Sequence, residues 1–309
     1  MTNPILVTGA AGGRQGSTGK RVTELLLKRR LPVRAFVRKL DERAEYLRQL
    51  GAEVIEGDLL NLSSVRKALQ GIRRAFLTYP VSDGLLEATV TFAIAAREAG
   101  TELVVNLSQL QNTEAVPSFR NLQHRLADQV LNWSPIGAVH LKAPPFYENL
   151  RALIAKTVTE QKTIFLPWGS GDAVFPLVSA GDVVNVAAAL LSDPLNDRPN
   201  EYDLIGETPT VNEIVSTLAS VLGQPIRYIE ITDERWIEAV RDRINPHALD
   251  HLSHLWQFFR TSGIPKGQDG FHVTDTTQKL VGKPPESLEQ FFRANGAAFG
   301  ATEKPVSAA

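Results

Sequence analysis

Through the first half of the chain, short apolar runs alternate with longer stretches in which apolar residues return every three or four positions. Ile5-Leu6-Val7, Val33-Arg34-Ala35-Phe36-Val37, Glu53-Val54-Ile55, Ala75-Phe76-Leu77 and Leu103-Val104-Val105 have strand character. Most are apolar throughout, as strands covered on both faces are. Residues 20–30 carry Val22, Leu25, Leu26 and Leu27 at helical spacing. Residues 41–50 read as a helix closed by Gly51. Asn61 or Ser63 can cap a helix ending at Gln70 before Gly71, and 83–99 is a long amphipathic helix stopped by Gly100. This rhythm predicts parallel strands joined by right-handed crossovers. The expected fold class is α/β, a Rossmann-type doubly wound parallel sheet. Such sheets bind ligands beyond the carboxyl ends of their strands, near the switch in strand order.

The second half loses that regularity, interrupted by Pro144-Pro145 and Pro167. Residues 137–141 give another strand signal, 180–191 are helical, and 202–205 can return to the sheet as a late strand. Residues 210–222 read as a helix capped by Thr210 and stopped at Gly223. A strand over 226–231 and helices over 233–241, 246–261 and 287–294 follow. The expected division is a nucleotide-binding domain over 1–142, with 180–205 returning to it. A smaller, interleaved α+β lobe for the substrate takes 143–179 and 206–303.

Composition narrows the classes of function. The 309 residues are 43% hydrophobic and 22% charged, ordinary for a soluble globular protein. The absence of cysteine excludes disulfides, a thiolate nucleophile and cysteine-based metal sites. Lys and Arg number 33 against 34 Asp and Glu, so no global charge draws the chain to nucleic acid or anionic lipid. A local surplus of cations at Lys28, Arg29, Arg30, Arg34, Arg38, Lys39 and Arg43 is diluted by Asp41, Glu42 and Glu45, without a nucleic-acid-binding signature. The chain opens without a signal-type segment and lacks an apolar run of the ~20 residues a membrane span needs. A cytoplasmic protein without nucleic-acid or membrane partners is expected; a homodimer is left open. His247, His251 and His254 share a helix, but they flank an apolar stripe of Leu252, Leu255, Trp256 and Phe259, so no metal is expected.

The chemistry-bearing motif follows the first strand: Thr8-Gly9-Ala10-Ala11-Gly12-Gly13-Arg14-Gln15-Gly16-Ser17-Thr18-Gly19. Glycines between a strand and a helix let the backbone approach a pyrophosphate, and the helix N-terminus offers unpaired N–H groups. Gly9 and Gly12 read as the first two glycines of a dinucleotide fingerprint. Gly19 reads as the third, leaving an insertion around 13–16. Gly13, Gly16 and Gly19 form a second GxxGxxG, so two registers stay open; Arg14, Gln15 and Gly16 join the cofactor-binding set. The second strand ends in Arg38 and Lys39, where an NAD site often places an acid and an NADP site a cation. NADP(H) is therefore expected over NAD(H), with no flavin. Asp58, followed by Leu59, can accept from the adenine amine or serve as a turn residue. Thr78, Tyr79 and Pro80 end the fourth strand, positioned to flank the nicotinamide ribose. Pro144, Phe146, Tyr147 and Asn149 are expected to wall the nicotinamide and substrate pockets, with Trp168 and Phe175 as an apolar substrate wall.

These pieces together resemble the NmrA-like family, atypical members of the short-chain dehydrogenase/reductase superfamily. The resemblance is carried by Val7-Thr8-Gly9-Ala10-Ala11-Gly12, by the strand from Val33 to Arg38, and by Gly51-Ala52-Glu53-Val54-Ile55-Glu56-Gly57-Asp58-Leu59. Leu141-Lys142-Ala143-Pro144-Pro145-Phe146-Tyr147-Glu148-Asn149-Leu150, Asn212-Glu213-Ile214 and Gly223-Gln224-Pro225-Ile226-Arg227-Tyr228 complete it. It implies a Rossmann core, an NADP(H) site and a small C-terminal substrate lobe. Relatives include quinone and azo-dye reductases and redox-sensing regulators.

Typical members of the superfamily use a tyrosine with a lysine four residues on, which lowers the phenol's pKa and lets it protonate a carbonyl oxygen. Here Tyr46, Tyr79, Tyr147, Tyr202 and Tyr228 are followed at that distance by Leu50, Asp83, Arg151, Gly206 and Thr232. At the corresponding helix the family comparison puts His124 and Asp128, which share a helix face. Without the dyad, hydride transfer to a conjugated acceptor (a quinone, an azo compound or similar) fits better than ketone reduction, because the new charge is delocalised. His124 is the candidate proton donor, on the strength of a near-neutral pKa. Ser108 or Gln109 is its orienting hydrogen-bond partner, Ser108 also touching cofactor, and Gln109 lining the substrate side; Tyr147 joins the catalytic set. The alternative is an NADP(H)-binding redox-sensing regulator with little or no catalysis.

Overall fold

The structure is a computed structural model that describes residues 3–13, 16–110, 118–193, 197–261 and 271–301. Along the chain run β1 (Ile5–Val7), α1 (Thr18–Lys28), β2 (Val33–Val37), α2 (Glu42–Gln49), β3 (Glu53–Glu56), α3 (Leu62–Leu69), β4 (Arg74–Leu77), α4 (Leu85–Ala99), β5 (Leu103–Gln109), α5 (Phe119–Trp133) and β6 (Ala138–Ala143). There follow α6 (Tyr147–Gln161), β7 (Thr163–Leu166), α7 (Ala180–Ser192), β8 (Glu201–Asp203), α8 (Val211–Leu222), β9 (Arg227–Glu230), α9 (Asp233–Val240), α10 (Pro246–Thr261), α11 (Thr276–Val281), α12 (Leu288–Ala294) and a 3₁₀ turn at Gly296–Phe299. Two compact units result: Met1–Ala143 with Gly181–Leu204 and Asp275–Pro284, and Pro144–Ala180 with Ile205–Thr274 and Pro285–Ala309.

The first unit is a seven-stranded sheet of order β3-β2-β1-β4-β5-β6-β8. Every pairing is parallel. A single helix joins β1 to β2, β2 to β3, β4 to β5 and β5 to β6, while the chain crosses through α3 from β3 at the edge to β4 beside β1, so the order reverses between β1 and β4, the switch point of a doubly wound fold. α4 packs between α3 and α5. Leu6, Ala75, Leu77 and Val104 of the sheet meet Val65, Leu69, Phe92, Ala96 and Leu131 of those helices in one buried cluster. Local signals act where they stand. Asp41 and Asn61 accept from Arg43 N and Ser64 N at the starts of α2 and α3, and Gly100 closes α4 at φ +70°.

The second unit pairs β7 with β9 in parallel and surrounds them with helices. α8 and α12 each begin with a reciprocal capping box, Thr210 with Glu213 and Ser287 with Gln290. Trp168, Phe175, Trp236, Trp256 and Phe259 are buried together in its core.

The apolar pattern alone places the end of β6 at Leu141, but the strand continues through Lys142 and Ala143. β8 covers Glu201–Asp203, starting one residue before and ending two residues short of the expected 202–205. The pattern also gave no indication of α6, β7 or α11.

Candidate functional site

At the mouth of the first unit, β1 is followed by Thr8, whose hydroxyl accepts from Thr78 N (2.8 Å) and donates to Thr78 O (3.1 Å). This ties the ends of β1 and β4 together at the switch point. The chain then turns through Gly9 and Gly12, both left-handed (φ +62° and +67°), with Gly12 N donating to Gly9 O at 3.0 Å. Gly13 and Gly16 exchange both backbone hydrogen bonds (2.8 and 3.2 Å), so the insertion closes on itself as a miniature hairpin. Arg14 and Gln15 lie outside the described residues. Gly19 sits in the first turn of α1 against the strand end: a Cβ there would stand 2.4 Å from Thr8 O and 2.7 Å from Gly9 C. Of the two registers open in the sequence, the geometry matches Gly9, Gly12 and Gly19, because only these form the tight turn and the close helix–strand approach. Ser17 precedes α1 without capping it by a side-chain hydrogen bond, and the first turn holds no acid. The amides there meet neither the carboxylate nor the side-chain cap that would compete with an anion.

The cations expected after β2 are at the same edge. Arg38 is 72% exposed and pairs with Asp58 at 3.4 Å. Asp58 also accepts from Leu60 N at 2.9 Å and so holds the turn after β3. Arg43, which sequence reasoning treated only as part of a charge cluster, donates to Gly12 O at 3.0 Å while bound to Asp41 at 2.6 Å. The Arg43 hydrogen bond holds the Asp41 carboxyl below its ordinary range. No sequence signal links α2 to the glycine loop; the contact exists because α2 starts beside it. Tyr79 follows β4 and donates to Asp83 O at 3.0 Å; burial raises its phenol pKa. Leu59 packs on the core cluster of this unit.

The carboxyl ends of β5 and β6 meet α5 in a buried polar cluster. Asp128 is its hub, accepting Ser108 Oγ at 2.7 Å and Lys142 Nζ at 2.5 Å on one oxygen, and Asn106 Nδ2 at 3.0 Å on the other. His140 Nδ1 lies 3.1 Å from the second oxygen, and its Nε2 is 3.0 Å from Asn132 Oδ1. Asp128, His140, Lys142, Ser108 and Asn106 are all buried. Burial works to raise the Asp128 pKa, but the hydrogen bond and charge of His140 and the Lys142 ammonium outweigh it and hold the carboxyl below its usual range. An ionised Asp128 keeps the Ser108 proton turned toward itself. Sequence reasoning found Ser108 and Asp128 but missed Asn106, His140 and Lys142, which sit in strand runs whose apolar neighbours mask them.

His124, one turn before Asp128, is half-buried. Desolvation, reinforced by the Lys142 and Arg120 charges and opposed by Asp128, pushes its imidazole down to about 4. The near-neutral pKa expected of it therefore does not hold: at neutral pH the ring is uncharged. Gln109 ends β5 with its Oε1 buried and without a hydrogen-bond partner among the described residues.

The remaining sequence candidates fall in the second unit. Pro144 opens it, and Phe146 forms a parallel bridge with Val178. Tyr147 is fully buried with its ring 5.5 Å from Phe291, which makes it part of that unit's core. Asn149 N donates to Phe146 O in the first turn of α6. Trp168 and Phe175 are 2% and 1% exposed with centroids 4.8 Å apart, so they pack as core rather than line an open wall. Among the described residues, no group of three or more His, Asp or Glu could hold a metal ion, and no helix is long and apolar enough to cross a membrane.

A doubly wound parallel sheet with a three-glycine turn at its switch point defines a dinucleotide-type α/β protein. Within that class, the chain belongs to the NmrA-like family, which it matches over residues 1–292. It is 25% identical to the NAD(P)H azoreductase of Xenophilus azovorans, covering 96% of this chain and 99% of that one. The triphenylmethane reductase of Citrobacter sp., solved with NADP(H), superposes with a TM-score of 0.79 at 21% identity, over 94% of this chain and 99% of that one. An NADPH-dependent quinone oxidoreductase from Escherichia coli, solved with NADPH, gives 0.75 at 21% identity, over 93% and 98% of the two chains.

Proposed function

We propose that this protein is an NADPH-dependent reductase that delivers hydride directly to a conjugated acceptor, a quinone, an azo compound or a related extended π-system, without flavin. When bound, the nicotinamide supplies the hydride. Gly9, Gly12 and Gly19 with the uncapped start of α1 would hold the pyrophosphate, and Arg38 with Lys39 would read the 2′-phosphate. The fit rests on the left-handed glycines and on the approach of Gly19, which any side chain would block. The named activities of the azoreductase and the quinone oxidoreductase support the same reading.

The observation that carries the acceptor class is the state of the groups at the ends of β5 and β6. Ser108 donates to Asp128, and His124 is neutral near pH 7. None of these is an acid suited to capture an isolated alkoxide. A quinone or azo acceptor spreads the arriving charge over its π-system and takes its proton from water. The test is a panel. Purified protein, checked by absorbance to be flavin-free, is mixed with NADPH or NADH and with quinones, azo dyes or simple ketones. Oxidation dependent on quinone or azo dye, faster with NADPH and absent with ketones, is the expected result. NADPH binding by calorimetry with no oxidation across the panel would replace this reading with the redox-sensing regulator.

A further inference from the structure

Between β4 and α4 the chain runs from Thr78 to Gly84 without regular structure. This loop leaves the sheet at the switch point, where the Thr8 hydroxyl bonds both Thr78 N and Thr78 O. It starts against the glycine turn, since a Cβ on Gly9 would stand 2.9 Å from Thr78 Cγ2. Its far end folds back on its beginning. Tyr79 donates to Asp83 O at 3.0 Å, and Gly84, at φ +91°, makes room for the phenol, which a Cβ there would meet at 2.8 Å. A dinucleotide lying across the switch point puts one half on the β2 side and the other on the β4 side. The 78–84 loop therefore borders the nicotinamide half.

Arg120, in the first turn of α5, ties this loop to the neighbouring helix. Its Nη1 donates to Ser82 O at 3.0 Å and to Gln123 Oε1 at 2.7 Å, and its Nη2 donates to Asp83 Oδ1 at 2.9 Å. The Arg120 side chain is 6% exposed, whereas that of Asp83 is 79% exposed. Burying a guanidinium beside an exposed carboxylate is a poor way to add stability, because desolvation offsets most of the attraction and an apolar side chain of similar volume serves as well. What arginine adds is direction: donors fixed in one plane, here holding two consecutive loop residues at once. Arg120, His124 and Asp128 follow one another at intervals of four and lie along one helix face. That face also meets the ends of β5 and β6 through Asp128, so one helix sets both the loop and the buried polar cluster.

We propose that Arg120 is a positioning residue of the nucleotide site. Through Ser82 O and the Asp83 carboxylate, its guanidinium holds the 78–84 loop where Tyr79 and Pro80 wall the nicotinamide half of NADPH. This rests on the reading that NADPH occupies the mouth of the first unit, and it gives Arg120 no contact with nucleotide or acceptor. The test is calorimetry on the full chain with NADPH and with adenosine 2′,5′-bisphosphate, which carries the adenosine half alone. Wild type should bind both. Arg120→Met, apolar and of similar length, should melt within about 4 °C of wild type. It should nevertheless raise the Kd for NADPH about tenfold and change that for the bisphosphate less than about twofold. Arg120→Lys, which keeps the charge without the fork, should recover only part of the lost affinity. Asp83→Ala, at an exposed position where truncation leaves the fold intact, should weaken NADPH about threefold and add little to Arg120→Met, because both remove one contact. If Arg120→Met does not fold, Asp83→Ala decides alone. An unchanged NADPH affinity would overturn the proposal, as would equal losses for both ligands, which would make Arg120 a support of the whole unit. A wild type that binds neither ligand overturns the reading of the site itself, and the role of Arg120 with it.

Discussion

At the scale of single residues, the site is governed by which groups are charged. His124 stays neutral in the folded protein down to about pH 4, against 6.5 for a free imidazole. Above about 6.5 both states are neutral and the term contributes nothing. As pH falls below that, the unfolded chain takes up a proton that the folded ring refuses, so stability is lost until the two levels meet near 4. The loss is at most roughly 3 kcal/mol. Melting temperatures measured from pH 7 to pH 4 should fall less steeply for His124→Gln than for the wild type; parallel curves would remove the residue from the account. Arg38 gives a second prediction. A charge-assisted hydrogen bond to phosphate contributes about 1.5–3 kcal/mol, so Arg38→Ala should raise the Kd for NADPH about tenfold or more and leave that for NADH nearly unchanged. Equal losses for both nucleotides would assign Arg38 to holding the Asp58 turn rather than to reading phosphate.

Elements meet at two contacts that single residues decide. The start of α1 rests on the end of β1 because Gly19 has no side chain, and an added Cβ would stand 2.4 Å from Thr8 O. Gly19→Ala should cost about 1–3 kcal/mol of stability, as overpacking does, and weaken NADPH binding because the loop must shift. Denaturant titration and calorimetry read the two effects separately. Asp128 joins α5 to β5 and β6. Removing one partner of a buried charge pair costs about 3–5 kcal/mol, since the other charge is left unpaired. Asp128→Ala should therefore destabilise far more than a surface truncation, measured by urea unfolding, because Lys142 remains buried without its carboxylate. A change below about 1 kcal/mol would mean that Lys142 escapes to Glu201, which lies 3.6 Å away.

On the scale of the whole molecule, the first unit is drawn from separate stretches of the chain, Met1–Ala143, Gly181–Leu204 and Asp275–Pro284. A ligand that binds only the folded form stabilises it in proportion to the logarithm of its concentration over Kd, about 2.7 kcal/mol at a hundredfold excess. Saturating NADPH should therefore raise the melting temperature, and NADH at the same concentration should raise it less. Identical shifts would contradict the reading of the β2 cations.

The sheet of the first unit was legible because its strands are covered on both faces, so each announces itself as an apolar run between a helix stop and a turn. The glycine loop was legible because only glycine permits that turn, although its register was not: nothing in the spacing says that Gly13 and Gly16 bond to each other. Charged residues inside β6 defeated the pattern. Lys142 reads as a strand end until Asp128, fourteen positions earlier, is seen to neutralise it. The aromatics of the second unit looked equally suited to a pocket wall or a core, and burial settled them as core.

The sequence by itself determined the alternation of strand and helix, the parallel sheet, the glycine turn and the basic end of β2, because each depends on residues close together in the chain. Tertiary structure alone decided which glycines form the turn, that Arg43 reaches the loop, that Asp128 is ionised between Lys142 and His140, and that His124 is neutral. Those properties come from desolvation and from charges brought together across long loops, and neither is written in local order.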